Sequence, residues 1–397
     1  MTGDETLHSK FQSRDATVGV IGLGYVGLPL SLAFAEAGFQ VHGFDIDEYR
    51  VDQLHDGTSY IDDVSDRRLE NAIDDGFVPG TEPRVIAGCD AYIIAVPTGM
   101  KNGKPDMSAV KAATETAATQ ADTTETLIVV SSTVYPGATN EIVAPTVEST
   151  HDGPIHLAMV PERLNPGGPH AFEDIPLVVG ADSDTAQTAA TDLFGAVVSE
   201  THSVDSTVTA ELTKTLENTY RMVNIALVNE LVTLAEGLNG DVWEAIEAAA
   251  TKPFGFQLFR PGPGVGGHCI PVDPQFLSWR AEDIGTDVSF LDDAHRINEQ
   301  MPKLTADRVE TLLKARGVSP EGASIVALGA AYKPNVGDTR NSPALRVIEH
   351  LSREFDVTVV DPHTNAENVA RQLVQTPQDA PISDADAVHE FCNTIIS

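Results

Sequence analysis

From the amino terminus, short apolar runs alternate with stretches of helical spacing. Val18–Leu23 is a β-branched run, Leu28–Glu36 sets apolar residues at helical intervals and is followed by Gly38, and Gln40–Asp45 is a second short run. Val85–Ala87, Ala91–Val96, Thr126–Ser131, Ile155–Val160 and Leu177–Gly180 continue the series. Strands that alternate with helices predict βαβ units and a parallel sheet, here over a first domain of residues 1–200. The pattern then changes. Ser206–Gly237 carries apolar residues at helical spacing with neither Pro nor Gly before its last residue. That predicts one helix more than about 40 Å long, enough to bridge two domains. Asp241–Ala250 reads as a second helix, a Pro/Gly-dense loop follows, and further helices are expected to about residue 317. Residues 201–317 are therefore read as a central helical region. Ser324–Gly329 and Asp356–Val360, the latter ending in Asp361, predict a second and shorter α/β unit over 318–397.

Composition narrows the function classes. The 397 residues include 59 acidic and 25 basic side chains, a net charge of −34. Nucleic-acid binding needs a basic footprint, so this balance argues against it. The acid is spread through DIDEY, SYIDDVSDRRLE and DAPISDADAVHE. Such a surface repels itself unless salt screens it, and the screening length falls to about 3 Å at 1 M, so a salt-loving source is expected. There is no uninterrupted apolar stretch of membrane-spanning length, and the polar start MTGDETLHSKFQSRDA lacks a signal-peptide core. A cytoplasmic protein with no membrane partner is expected. The three cysteines, Cys89, Cys269 and Cys392, are too few for a disulfide framework and show no zinc-type spacing, so no metal is expected.

The first apolar run leads into GLGYVG. Gly22, Gly24 and Gly27 form G-x-G-x-x-G between a strand and a helix, with Tyr25 and Val26 inside the turn. The glycines serve a tight turn, close approach of backbone to a pyrophosphate, and helix–strand packing; the helix start offers free N–H groups to the anion. Asp45 ends the next strand, where an acid suits the ribose hydroxyls of NAD and repels the extra phosphate of NADP. Arg50 is expected beside the adenosine ribose. Thr98 and Thr133 follow later strands, whose C-terminal ends line the ligand crevice in such sheets, and are read as NAD contacts.

The most informative segment is Pro261–Pro274, PGPGVGGHCIPVDP. Cys269 follows a glycine-rich loop, with His268 and Asp273 beside it. A nucleophilic thiol must be accessible and partly ionised, and this neighbourhood favours that reading over a buried inert cysteine.

With six motifs in order, GLGYVGLPL, VPTGMKNGKPD, SSTVYPG, AELTKTLENTYRMVNIALVNE, GPGVGGHCIPVDP and AYKPNVGDTRNSPAL, the chain resembles the UDP-glucose/GDP-mannose dehydrogenase family over nearly its whole length. The resemblance implies two Rossmann-like domains with parallel sheets joined by a central long-helix region, an N-terminal NAD-binding domain, dimerisation through the central helices and a C-terminal UDP-sugar-binding domain. It also implies a four-electron oxidation with NAD as cofactor and a UDP-sugar as substrate. By the same resemblance the nucleophile is Cys269, the other catalytic groups are Lys214, Asn218, Asp273 and Glu162, and Arg340 lies near the NAD pyrophosphate. The implied substrate contacts are Arg163, Leu164, Lys214, Asn218, Arg221, Arg260, Gly266, His268, Tyr332 and Lys333. His268 and Val272 stand where the glucose and mannose branches usually carry Ser and Lys. GGHCIPVDP instead resembles the branch that oxidises UDP-N-acetylglucosamine or UDP-N-acetylmannosamine; UDP-glucose stays open as an alternative. The family normally closes its last domain with a further strand, whereas this chain thins into DAPISDADAVHEFCNTIIS, so a shortened last domain is expected.

Overall fold

The computed structural model describes residues 6–61, 63–122, 125–163, 170–320, 323–333 and 337–364. The chain forms two compact units, Met1–Leu216 and Glu217–Ser397. The first is built on strands β1 (Thr17–Ile21), β2 (Gln40–Phe44), β3 (Phe77–Gly80), β4 (Ala91–Ile94), β7 (Thr126–Val130), β8 (Ile155–Met159), β9 (Leu177–Ala181) and β10 (Thr201–Val204). They form one sheet in the order β10-β9-β8-β7-β4-β1-β2-β3. A small hairpin, β5 (Gly99–Lys101) with β6 (Lys104–Asp106), stands apart from it.

The expected parallel sheet holds from β3 through β8 but not beyond, because β9 pairs antiparallel with β8. A parallel return needs a crossover, usually an α-helix. The described part of the β8–β9 connection contains only the short 3₁₀ turn Phe172–Asp174. The helix Asp184–Phe194 does supply a crossover between β9 and β10, and those two pair in parallel. The expected strand at Val85–Ala87 is instead part of a 3₁₀ turn, Pro83–Ile86, started by a proline whose fixed φ suits it. The missing neighbour of β2 is β3, whose Pro79 is tolerated because β3 is the sheet's edge.

The first core covers one face of this sheet, the face that carries Val18, Val20, Ala91, Ile93, Leu127 and Val129. Phe34 stacks edge-on against Phe39 and Phe194, with centroids 5.8 and 5.5 Å away. An N-terminal helix, Leu7–Ser13, buries Leu7 and Phe11 in the same cluster. Each such side chain contributes roughly 1.5–3 kcal/mol through the apolar surface it removes from water.

The predicted long helix is present as Thr207–Gly237 and runs from the first unit into the second. The second unit adds helices Val242–Ala250, Cys269–Asp283, Ser289–Ala315 and Pro343–Leu351, and the parallel pair β11 (Ser324–Leu328) and β12 (Asp356–Val360). Leu345, Ile348, Leu351, Phe355, Val357 and Val359 form a core beneath that pair. No helix among the described residues is long and apolar enough to cross a membrane.

Candidate active site

In the first unit, Gly22 has φ +92°, a region open chiefly to glycine, and donates its N–H to Phe44 O at 2.8 Å. A Cβ on Gly27 would lie 1.7 Å from Gly22 O, so the turn and the helix start close on each other only without one. Gly24 differs: among the described residues a Cβ there would meet only Arg50 Nη1, at 3.8 Å. The helix Gly27–Glu36 begins with no side-chain cap; in its first turn Leu28 N donates to Gly24 O at 3.1 Å, Leu30 N donates to Val26 O at 3.2 Å and Pro29 has no N–H. An uncapped helix start beside an open glycine fits a dinucleotide's pyrophosphate.

Asp45 is buried where β2 ends. Its carboxylate accepts the N–H groups of Leu23 at 2.7 Å and Asp47 at 2.9 Å, and Arg50 Nη1 lies 3.3 Å away. Asp45 therefore braces the glycine turn as well as standing at the expected ribose position. Arg50 also faces Asp47 and lies over the Tyr60 ring. Thr98 donates its hydroxyl to Thr133 O at 2.6 Å, tying together the loops after β4 and β7. Tyr25 and Val26 occupy the turn between Gly24 and Gly27, Tyr25 about half exposed.

The loop after β8 brings Glu162 to Lys214, with 3.6 Å between Oε2 and Nζ; Lys214 is buried and Glu162 partly buried. Glu162 N also donates to Ser131 O at 3.3 Å. One turn earlier on the long helix, Glu211 is fully buried. Its carboxylate accepts Gly137 N at 2.5 Å, Thr139 N at 2.8 Å and Thr139 Oγ1 at 2.6 Å. Burial pushes this carboxyl above its ordinary range, and those donors pull the other way. Glu211 thus fixes the loop after β7 to the helix that carries Lys214.

In the second unit, the helix Cys269–Asp283 opens with Cys269 itself, whose side chain is exposed. Pro271 lies in the first turn, where a missing N–H costs nothing. The N-terminal end of a helix favours negative charge, and the thiolate is the nucleophilic form of cysteine. One turn on, buried Asp273 accepts the Asn218 amide at 2.6 Å. Lys214 and Asn218, a turn apart on the long helix, thus each engage one carboxylate, Glu162 and Asp273. His268, which precedes the thiol, is half-buried; burial first, and then the Arg340 guanidinium, push its pKa below the ordinary 6.5. Cys89, by contrast, is buried and its thiol is pushed up to about 12, which leaves it inert.

Three matches bear on this arrangement. The NAD-binding domain of the UDP-glucose/GDP-mannose dehydrogenase family matches residues 16–198, its central domain residues 208–300 and its UDP-binding domain residues 326–392. The chain belongs to that family. It is 34% identical over 379 residues to a UDP-N-acetyl-D-mannosamine dehydrogenase of Pyrococcus horikoshii, covering 93% of this chain and 89% of the relative. It is 33% identical over 370 residues to a UDP-N-acetyl-D-glucosamine 6-dehydrogenase of Salmonella typhi, covering 91% and 86%. The solved structure of a UDP-glucose dehydrogenase from Pyrobaculum islandicum is similar with a TM-score of 0.83 at 28% identity, over 93% of this chain and 86% of that one.

As a member of this NAD-dependent nucleotide-sugar dehydrogenase family, the chain holds its expected site residues in unequal settings. Arg340 is gripped by Asp338, with Nη2 to Oδ2 at 2.6 Å and Nε within 3.1 Å of both oxygens. Arg260 lies on an exposed surface with Glu247 3.2 Å away, and Arg163 donates to Pro176 O at 2.5 Å. Arg221 is exposed on the long helix. Tyr332 packs against the glycine loop, where Cβ atoms on Gly266 and Gly267 would come within 2.6 and 2.7 Å of it, and Lys333 is its half-buried neighbour. Leu164 and the tail from residue 365, with Cys392 and the segment expected to be shortened, lie outside the described residues.

Sequence reasoning missed Glu211, Asn229 and Asn298. Asn229 and Asn298 are fully buried partners: Asn229 Nδ2 donates to Asn298 Oδ1 at 2.9 Å, and Asn229 Oδ1 accepts Gly262 N at 2.9 Å. A signal was available. Glu211, Lys214, Asn218, Met222 and Asn229 recur at helical spacing on one stripe of the long helix, and polar residues in a buried stripe need partners.

Proposed function

We propose that the protein oxidises the C6 alcohol of a UDP-N-acetylhexosamine, UDP-N-acetylmannosamine or UDP-N-acetylglucosamine, to the carboxylate. The observation that carries this reading is the exposed Cys269 at the first position of a helix, reached through a glycine turn, in a chain of this family. Relatives named for both amino sugars match over most of the chain, which favours them above UDP-glucose.

NAD, when bound, supplies the hydride acceptor for each of the two oxidations. The chain's own groups do the rest. Asp273 and Lys214 hold the water or base that takes the C6 hydroxyl proton in the first oxidation. The Cys269 thiolate then adds to the aldehyde carbon, forming a C–S bond as the carbonyl π pair moves to oxygen. Lys214 and Asn218 stabilise that oxyanion, a role typically worth about 3–4 kcal/mol. Loss of hydride from this carbon leaves a thioester. Water positioned by Glu162 cleaves the C–S bond and returns the thiol. In balance, one alcohol, one water and two NAD give one carboxylate, two NADH and three protons.

We assign residues 1–200 to NAD, 201–317 to catalysis and dimerisation, and 318–397 to the UDP moiety. Gly22, Gly24, Tyr25, Val26, Gly27, Asp45, Arg50, Thr98 and Thr133 contact NAD, and Arg340 reaches its pyrophosphate by exchanging Asp338 for it. The sugar nucleotide is held by Arg163, Leu164, Arg221, Arg260, Gly266, His268, Tyr332 and Lys333. The long helix exposes Leu212, Leu216, Tyr220, Leu227, Leu231 and Leu234, an apolar stripe suited to a second copy of the chain. Val223, on the same helix, is partly buried against Met222 and Ala294. The need for a reduced thiol and for NAD places the enzyme in the cytoplasm, and a net charge of −34 suits a salt-rich one. A panel of UDP-sugars tests the function: two NADH per acid from an N-acetylhexosamine nucleotide is expected, and one NADH per substrate, or turnover of UDP-glucose alone, contradicts it.

A further inference from the structure

The turn that presents Cys269 is held from outside itself. Gly267, two residues before the thiol, has φ +81°. Its N–H donates to Arg340 O at 3.0 Å, and its carbonyl accepts the side-chain amide of Asn341 at 3.0 Å. Both polar groups of one residue are therefore fixed by consecutive residues of the DTRN segment. Asn341 itself has φ +51°, a left-handed conformation that asparagine tolerates better than most residues. Tyr332 closes the other side: a Cβ on Gly266 would lie 2.6 Å from the Tyr332 Cβ, and one on Gly267 2.7 Å from its ring.

We propose that Asn341 is a positioning residue for the nucleophile: its amide fixes the Gly267 carbonyl, and through that peptide the direction in which Cys269 leaves the turn. The inference rests on Cys269 being the nucleophile and goes beyond that reading by assigning how the thiol is aimed. Addition to an aldehyde and loss of hydride from the adduct both depend on the direction of sulfur approach, and small misplacements of reacting atoms cost large factors in rate. The first oxidation makes no bond to sulfur. Loosening the turn therefore impairs the second oxidation selectively. Asn341 belongs to the segment that the UDP-binding domain of the family matches, so one stretch of chain serves both nucleotide domain and thiol.

The conformation at Asn341 supplies a clean variant. Asn341→Gly keeps the left-handed backbone free of strain and removes only the amide, whereas Asn341→Ala would add strain. Asn341→Asp keeps a residue that tolerates the conformation and loses the donor. With UDP-N-acetylmannosamine and NAD, the first hydride transfer in single turnover is expected to stay within about twofold of wild type in both variants. Conversion of the corresponding C6 aldehyde nucleotide to acid is expected to fall by about tenfold or more, and semicarbazide should trap aldehyde that wild type does not release. Aldehyde oxidation at the wild-type rate in either variant overturns the proposal. So does an equal loss of both steps with a lowered Tm, because that marks a purely structural contact. Cys269→Ser is run beside them. Undiminished acid formation by Cys269→Ser would remove the nucleophile reading itself, whereas a stalled Cys269→Ser with a normal Asn341→Gly removes only the role of Asn341.

Discussion

The two glycine-rich turns of this chain have the same outline, a loop feeding the first turn of a helix, yet their glycines do opposite things. In GLGYVG the central Gly24 faces open space, with Arg50 3.8 Å from a notional Cβ, and the helix beyond has no side-chain cap. In PGPGVGGHC the space is taken by the protein: Tyr332 occupies the place of a Cβ at both Gly266 and Gly267, and Asn298 O lies 2.8 Å from one at Gly264. On the proposed reading, the first loop keeps room for a ligand's phosphates. The second packs so tightly that it aims a side chain. Glycine content alone does not distinguish a cradle from a clamp; what stands where the Cβ would be does.

Alanine substitutions break that comparison in graded steps. Gly27→Ala has the largest effect, because its Cβ would lie 1.7 Å from a backbone oxygen with nowhere to move. Loss of NAD binding together with a sharp fall in Tm is expected, and a wild-type Tm would show that the turn opens easily. Gly267→Ala comes next, with φ +81° and the Tyr332 ring 2.7 Å away. Turnover should fall by about a hundredfold while NAD binding holds, since the thiol is misdirected and the first loop untouched. A joint loss of NAD affinity would erase the distinction between cradle and clamp. Gly24→Ala is the reverse case: stability within about 1 kcal/mol of wild type, given compatible packing, but NAD affinity lower by about tenfold. Unchanged NAD affinity would mean that the open space is not the ligand's.

The smallest effect concerns His268. Its folded pKa lies below the ordinary 6.5. Between that lowered value and 6.5 the unfolded chain binds more protons than the folded one, so the stability tied to neutral His268 is present above pH 6.5 and is lost as pH falls through this window. His268→Gln should flatten the slope of denaturant stability against pH over that range. A slope equal to that of wild type would place His268 in solvent and away from Arg340.

Much of this was legible in the sequence because local patterns set it. The strand–turn–helix around Gly22 to Gly27, the acid at the end of β2 and the uninterrupted apolar spacing of the long helix all follow from period and turn chemistry. The antiparallel return of β9 was not legible, because the apolar pattern of a strand does not carry its direction. β3 was hidden by Pro79, which only an edge strand tolerates, and β10 by a polar composition. The helix beginning at Cys269 was obscured by Pro271 and Pro274. Glu211, Asn229 and Asn341 escaped notice for a common reason: each acts on backbone groups far along the chain, and a single sequence does not show which loop a buried polar side chain will meet.

The central claim is that one thiol carries the second oxidation, and acid formation by Cys269→Ser measures this most directly. With NAD and UDP-N-acetylmannosamine or UDP-N-acetylglucosamine, the wild type should yield one uronate for every two NADH. The variant should bind NAD as tightly, make at most the first NADH, and either stop at the aldehyde or hold a covalent ester at residue 269 visible by intact mass. Uronate formed by Cys269→Ser at the wild-type rate, with two NADH for each, would contradict the account.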